Sequence, residues 1–271
     1  MIRANFHTHT TFSDGKNTPE EMVNTALSLN MTALGFSDHS PLVGFEGTSG
    51  ILPAEENAYR QEILRLKDKY AGQIELYLGI EMDSFSQPSP YTYDYRIGSI
   101  HGIFAEDQYR AVDYNEAWML TTVREFFGGD HYAYAKSYYR TVAETANRHN
   151  PTFFGHIDLV AKYNEGNKHF DEGDKRYRDA ALEAVEALLP TGKPFEINTG
   201  AISRGVRTTP YPNPFILKEI RNMGGKIILS GDSHAASGLL CAYEQATQLA
   251  KTCGFTTAMV LAPEGLRETK L

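Results

Sequence analysis

The sequence predicts an α/β fold built on a parallel sheet, closed or nearly closed into a barrel. Three observations predict it. Seven short apolar runs alternate with helical segments, and strands buried on both faces of a sheet read as unbroken apolar runs. These runs end, one after another, in His, Asp or Glu. The ends that carry His7, Glu81, His156 and Asp232 are far apart in the chain. Only a barrel brings the C-terminal ends of all its strands to one face, the face where active sites of such barrels sit.

Residues 2–6 read as the first strand, and in extended chain His7 and His9 leave its end on the same side. Thr18-Pro19-Glu20-Glu21 starts a helix that runs to Ser28, with Thr as cap and Pro at the first helical position. Residues 32–36 form the second strand and run into Ser37-Asp38-His39. The Gly- and Pro-rich stretch 41–53 is long enough to act as a lid. A helix over 55–70 precedes the third strand, 74–82, which ends at Glu81 and Asp83. A Pro- and Tyr-rich loop, 84–93, leads to the fourth strand, 96–100, which ends at His101. Helices over 113–127 and 131–149 are separated by Gly128-Gly129. The fifth strand, 151–154, opens into Gly155-His156-Ile157-Asp158. A helix over 172–189 and the sixth strand, 194–197, are followed by Asn198-Thr199-Gly200 and a loop over 201–212. A helix over 213–223 stops at Gly224-Gly225, and the seventh strand, 226–229, ends in Gly231-Asp232-Ser233-His234. A helix over 239–251 and an apolar run over 255–261 follow. No linker or low-complexity segment divides the chain, so residues 1–271 are expected to form one domain.

At 41% hydrophobic the chain can bury a full core. Its net charge of −8, without a basic cluster, argues against long nucleic acid as a partner, since phosphate chains demand Lys and Arg patches. A small phosphorylated substrate needs only a local positive site. Cys241 and Cys253 lack partners at zinc-finger spacing and are expected to be reduced and structural. No leader and no membrane-length apolar run is evident, so a cytoplasmic enzyme without membrane association is expected, as a monomer or small homo-oligomer.

His7, His9, Asp14, His39, Glu81, His101, His156, Asp232 and His234 are the candidate ligands. Imidazoles and carboxylates without thiolate suit Zn, Mn or Fe with open coordination positions. Nine ligands are too many for one ion and enough for two or three, and Glu81 can bridge two ions with its two oxygens. Such clusters assist displacement at phosphorus. Any one of these histidines is more often structural; their recurrence at strand ends is the signal. Ser13-Asp14-Gly15 also reads as a simple turn. His131, His149 and His169 fall in helices or a polar loop and are read as non-ligands.

His7-Thr8-His9 through Ser13-Asp14-Gly15, Ser37-Asp38-His39, Gly79-Ile80-Glu81, Gly98-Ser99-Ile100-His101, Gly155-His156 and Gly231-Asp232-Ser233-His234 resemble, in order, the motifs of the polymerase and histidinol phosphatase (PHP) family. The resemblance spans nearly the whole chain. It implies a distorted (β/α)7 barrel and a trinuclear metal centre. One ion would be held by His7, His9, Glu81 and Asp232, a second by Glu81, His101 and His156, and a third by Asp14, His39 and His234. The third site often has His where this chain has Asp14. Length and the absence of inserted domains look like the stand-alone histidinol-phosphatase branch. The implied reaction is hydrolysis of L-histidinol phosphate in histidine biosynthesis, by attack of a metal-bridged hydroxide, with Glu81, Asp232, His234 and Arg204 as catalytic residues. The alternatives are another small phosphomonoester (a nucleotide, sugar phosphate or phosphotyrosine) and a non-catalytic metal-binding barrel.

Arg204 and Arg207, after the sixth strand, and Lys162, after the fifth, are candidates to hold the phosphate. The rest of the substrate needs acids and aromatics, for which the loops offer Phe12, Phe45, Glu46, Tyr91, Phe104, Glu106 and Asp107.

Overall fold

The computed structural model describes residues 2–42 and 49–271, so Phe45 and Glu46 lie outside the described residues. Seven strands run parallel and neighbour one another in this order: Ala4–Asn5 (β1), Ala33–Phe36 (β2), Glu75–Asp83 (β3), Tyr95–Ser99 (β4), Phe153–Phe154 (β7), Phe195–Asn198 (β8) and Ile227–Ser230 (β9). The hairpin Gly102–Ala105 (β5) and Gln108–Ala111 (β6) stands apart from this sheet. The second edge of β9 is divided. Ile228 pairs with Met259 of Thr257–Ala262 (β10), which carries the antiparallel Gly265–Lys270 (β11). Beyond the end of β9, Ser233 instead bridges Thr8, so the first and seventh parallel strands meet. The His9 N–H donates to the Ser233 carbonyl at 2.9 Å, and the Ser233 N–H donates to the His7 carbonyl at 3.0 Å. The barrel is thus joined where the chemistry-bearing residues sit and splayed below, a distorted (β/α)7 arrangement.

The helices follow from caps and apolar stripes. Thr18 and Glu21 form a reciprocal capping box at the start of Pro19–Ser28 (α1). Glu56–Lys69 (α2) buries Tyr59, Ile63 and Leu66. Asn115 caps Glu116–Phe126 (α3) and Asp130 caps His131–Thr145 (α4). Asp174 caps Lys175–Leu188 (α5), and Asn213, with Pro214 in the first turn, caps Pro214–Asn222 (α7). In α4 the stripe Tyr134, Tyr138, Tyr139 and Val142 meets Tyr177, Ala181, Ala184 and Val185 of α5. The Tyr139 hydroxyl donates to the Tyr177 hydroxyl at 2.8 Å, so two buried phenols satisfy each other. Tyr243–Thr252 (α8) is the last helix.

Three elements depart from expectation. The β5–β6 hairpin turns on Glu106 and Asp107, at φ 48° and 61°, so the usual Asn-Gly or Asp-Gly signal is missing. The β11 strand is polar and largely exposed, and reads as a tail because only one edge of it packs. The loop over 201–212 holds a helical turn, Gly200–Ser203 (α6). Among the described residues no helix is long and apolar enough to cross a membrane. Cys241 and Cys253 are free.

Candidate metal centre

The β3 strand delivers Glu81, buried to 1% exposure, into the middle of five imidazoles. Its Oε1 lies 3.2 Å from His7 Nε2, 3.1 Å from His156 Nε2 and 3.4 Å from His101 Nε2. Its Oε2 lies 2.8 Å from His39 Nδ1 and 3.6 Å from His9 Nε2. Asp232 Oδ1 adds a second carboxylate, 3.3 Å from His9 Nε2 and 3.7 Å from His7 Nε2. Asp14 Oδ1 closes the outer side, 3.3 Å from His234 Nε2 and 3.7 Å from His39 Nε2. All nine candidate ligands are therefore gathered at one end of the barrel.

The second carboxylates behind the imidazoles set their orientation. His7 Nδ1 lies 2.6 Å from Glu196 Oε1; with the proton on Nδ1, the Nε2 lone pair faces the cluster. His101 is held the same way by Asp83 Oδ2, which accepts its backbone N–H at 3.0 Å and lies 3.2 Å from its Nδ1. Asp38 braces the loop that carries Asp14, accepting from the Thr10 N–H at 2.7 Å and the Ser13 hydroxyl at 2.6 Å. Asp232 itself sits in left-handed backbone, φ 44°. It has no room to move: a Cβ on Gly200 would lie 2.6 Å from its Oδ2.

The donor set fits divalent ions. His7 Nε2, both ring nitrogens of His9, and Glu81 Oε2 are buried and make no hydrogen bond of acceptable geometry, despite the short distances between them. Buried polar atoms so close together and yet without hydrogen-bond partners are what a shared cation would satisfy. Four groups have ligand atoms within 4.8 Å of each other: His9–Asp14–His39–His234, His7–His156–Asp232, His7–His9–Glu81 and His39–Glu81–His101. His131, His149 and His169 are in none of them.

Electrostatics among the ligand side chains are uneven. Burial opposes charge at His7, yet Glu196, Glu81 and Asp232 raise its pKa well above the ordinary value. His39 and His101 are raised too, against burial, by Glu81 and by Asp14 or Asp83. His9 is pushed down to about 3 by burial and by its neighbours His234 and His39. A metal takes a neutral imidazole, so it displaces protons from His7, His39 and His101 and none from His9. Affinity should therefore climb with pH beyond ~6.5, the free-histidine value, and level off only above the raised values. Metal titration in buffers of different ionisation enthalpy should show net proton release at pH 7; affinity that is flat from about pH 6 to 8 contradicts this.

Above the cluster lies a cleft of about 290 Å³, with His39, His101, His156, Asp232 and His234 on its floor. Arg204 and Lys162 line it, as the sequence predicts. The Arg204 guanidinium also holds the ligands, donating to Asp232 Oδ2 at 3.0 Å and lying 2.8 Å from His234 Nδ1. Arg207 does not reach the cleft. The Val206 and Arg207 N–H groups both turn back onto the Ala201 carbonyl, which aims this side chain inward. There it donates to the Ala161 carbonyl at 2.7 Å and stacks on Tyr211. Of the residues expected to meet the rest of the substrate, the five that are described are also elsewhere. Phe12 packs on Tyr59, Tyr91 lies under Arg60, Phe104 packs on Phe85, and Glu106 and Asp107 make the hairpin turn. Among the described residues the cleft wall is made by Tyr109, Asp113 and Tyr114, together with Leu42, Ser49 and Gly50 of the stretch 41–53.

The PHP domain family model matches residues 5–200, and the chain belongs to that family. It is similar to the histidinol-phosphatase of Bacillus subtilis, 24% identical over 90% of this chain and 98% of that one. It is similar also to a probable histidinol-phosphatase of Schizosaccharomyces pombe, 23% identical over 91% of this chain and 85% of that one. In fold it resembles the histidinol phosphate phosphatase of Lactococcus lactis, solved with zinc, L-histidinol and phosphate, at a TM-score of 0.74 and 24% identity, over 98% of this chain and 99% of that one.

Proposed function

We propose that this member of the PHP family hydrolyses L-histidinol phosphate to L-histidinol and phosphate, in histidine biosynthesis. The observation that carries the chemistry is Glu81: a fully buried carboxylate met on both oxygens by imidazoles, at the floor of a cleft lined by Arg204 and Lys162. The substrate is supported by relatives named histidinol-phosphatase that match along most of their length.

Three divalent ions, Zn, Mn or Fe, fit the donor set. On the family resemblance, His7, His9, Glu81 and Asp232 would hold the first, Glu81, His101 and His156 the second, and Asp14, His39 and His234 the third; the approach of His101 and His156 to one Glu81 oxygen supports the second set, and the grouping of Asp14, His39 and His234 supports the third. When bound, such ions activate a water for attack on phosphorus and neutralise charge on the phosphoryl oxygens. Glu196 and Asp83 keep His7 and His101 in the ligating orientation. Arg204 locks Asp232 and His234 and brings a guanidinium to the cleft for the phosphate. Lys162, 13% exposed at its side chain, supplies a second positive charge. On this view residues 1–271 act as one cytoplasmic domain on a small phosphoester.

The test is phosphate release by metal-replete protein from L-histidinol phosphate, beside nucleotide, sugar and aryl phosphates. A kcat/KM at least about a hundredfold above the panel, roughly 2.7 kcal/mol of discrimination, is expected. If another ester wins, the substrate assignment falls and the phosphatase chemistry stands. If fully metallated protein cleaves none of them, the catalytic assignment falls as well.

A further inference from the structure

We propose that the β5–β6 hairpin and the residues after it form a cation-recognising wall, with Asp113 as the residue that takes the ammonium group of the substrate. This rests on the histidinol phosphate reading and deepens it. Tyr109 and Ala111 are two residues apart in β6, so both face the cleft, and Asp113, in the bend just after the strand, lines it with them. The Tyr109 ring is seated against Gly102 on the partner strand; a Cβ there would lie 2.3 Å from the ring. Tyr114, 61% exposed, stands at the cleft mouth beside Asp113. The wall thus offers a carboxylate between two phenol rings, chemistry that suits an organic cation.

Asp113 faces the metal-ligand cluster, close enough to influence His101. Its partner is Lys162, whose Nζ donates to the Asp113 carbonyl at 2.9 Å and lies 3.3 Å from its Oδ2. Tyr163 fixes the same carbonyl, donating its hydroxyl at 2.6 Å. The cleft therefore carries a Lys–Asp pair on one side of the phosphate site. A substrate whose ammonium lies one carbon from the phosphoester CH2 can enter head to tail against this pair. Phosphate takes Lys162, ammonium takes Asp113, and no charge is left unmatched. A phosphoester with an uncharged leaving group draws Lys162 away and leaves Asp113 without a counter-ion in a part-buried site, which is costly. The wall thus selects by penalty as well as by attraction.

The experiment compares L-histidinol phosphate with its desamino isostere, 3-(imidazol-4-yl)propyl phosphate, in wild type, Asp113→Asn and Lys162→Met, each checked for metal content and melting temperature. Wild type should prefer the amino substrate at least about thirtyfold in kcat/KM, a ratio within reach of one buried charged contact. Asp113→Asn should collapse that ratio to within about threefold of unity, chiefly through KM for the amino substrate. Lys162→Met should lower both substrates together and keep most of the ratio. A ratio that survives in Asp113→Asn overturns the assignment, as does a ratio lost equally in Lys162→Met, because Asp113 then acts only by holding Lys162. Failure of the underlying reading looks different: wild type cleaves neither imidazole ester while cleaving an aryl phosphate.

Discussion

Glu81→Gln should lower kcat/KM at least about a thousandfold, a loss of roughly 4 kcal/mol of transition-state stabilisation, and the purified protein should carry less metal. The side chain keeps its size and one carbonyl oxygen. It loses the charge and turns one ligating oxygen into an N–H donor. Both oxygens of Glu81 are used: His7, His156 and His101 gather at Oε1, and His39 and His9 at Oε2. A glutamine can serve only one of these two groups, so at least one shared position loses a ligand. Burial opposes ionisation at Glu81, yet the imidazoles, His7 first, keep its pKa well below the carboxylate range. The negative charge is therefore present throughout the neutral range and available to balance divalent ions. Elemental analysis and steady-state kinetics decide the matter. A variant with full metal content and activity within tenfold of wild type sinks the bridging role. Glu81→Asp keeps the charge but withdraws it by one methylene, and should fall between the two.

Eight of the nine candidate ligands were legible because they stand at or just beyond the end of an apolar run, a position that sequence can place; Asp14 lies in a turn beyond the first of them. Their supporting residues were less so. Glu196 sits within Pro194-Phe195-Glu196-Ile197, and an acid inside a short apolar strand is a usable signal: burial demands a partner. Asp83 and Asp38 stand next to ligand motifs, but nothing in their spacing tells a ligand from a brace. The hairpin wall was hidden for a different reason. Its turn is made by Glu106 and Asp107 in left-handed backbone, without the glycine that marks such turns. The exposed aromatics and acids nearby then read as the recognition surface, while Tyr109 and Asp113 are the residues of this segment that line the cleft. Arg207 shows the same limit, since the choice between cleft and core was made by two backbone hydrogen bonds onto Ala201.

Removing Glu196 should be the most costly change to the scaffold behind the metals. It is 1% exposed on β8 and serves three groups at once. Oε1 meets His7 Nδ1 at 2.6 Å, and Oε2 accepts the His156 backbone N–H at 2.8 Å and the Asn198 side-chain amide at 2.9 Å. Glu196→Ala leaves all three buried without a partner and should destabilise the chelated protein by about 3–5 kcal/mol, the usual result of breaking a buried charged pair. Glu196→Gln separates support from stability. Its carbonyl can serve His7 or the His156 N–H, but its NH2 then faces the other group as a second donor. Metal affinity should drop about 10–100-fold, the range for second carboxylates behind a ligating histidine. One readout distinguishes orientation from mere packing. After the opposing effect of burial, Glu196 is the first cause of the raised His7 pKa. In the glutamine variant the His7 pKa should therefore fall, though Glu81 and Asp232 still raise it, and the proton release on metal binding at pH 7 should shrink. Weaker binding with undiminished proton release would mean that Glu196 only fills space.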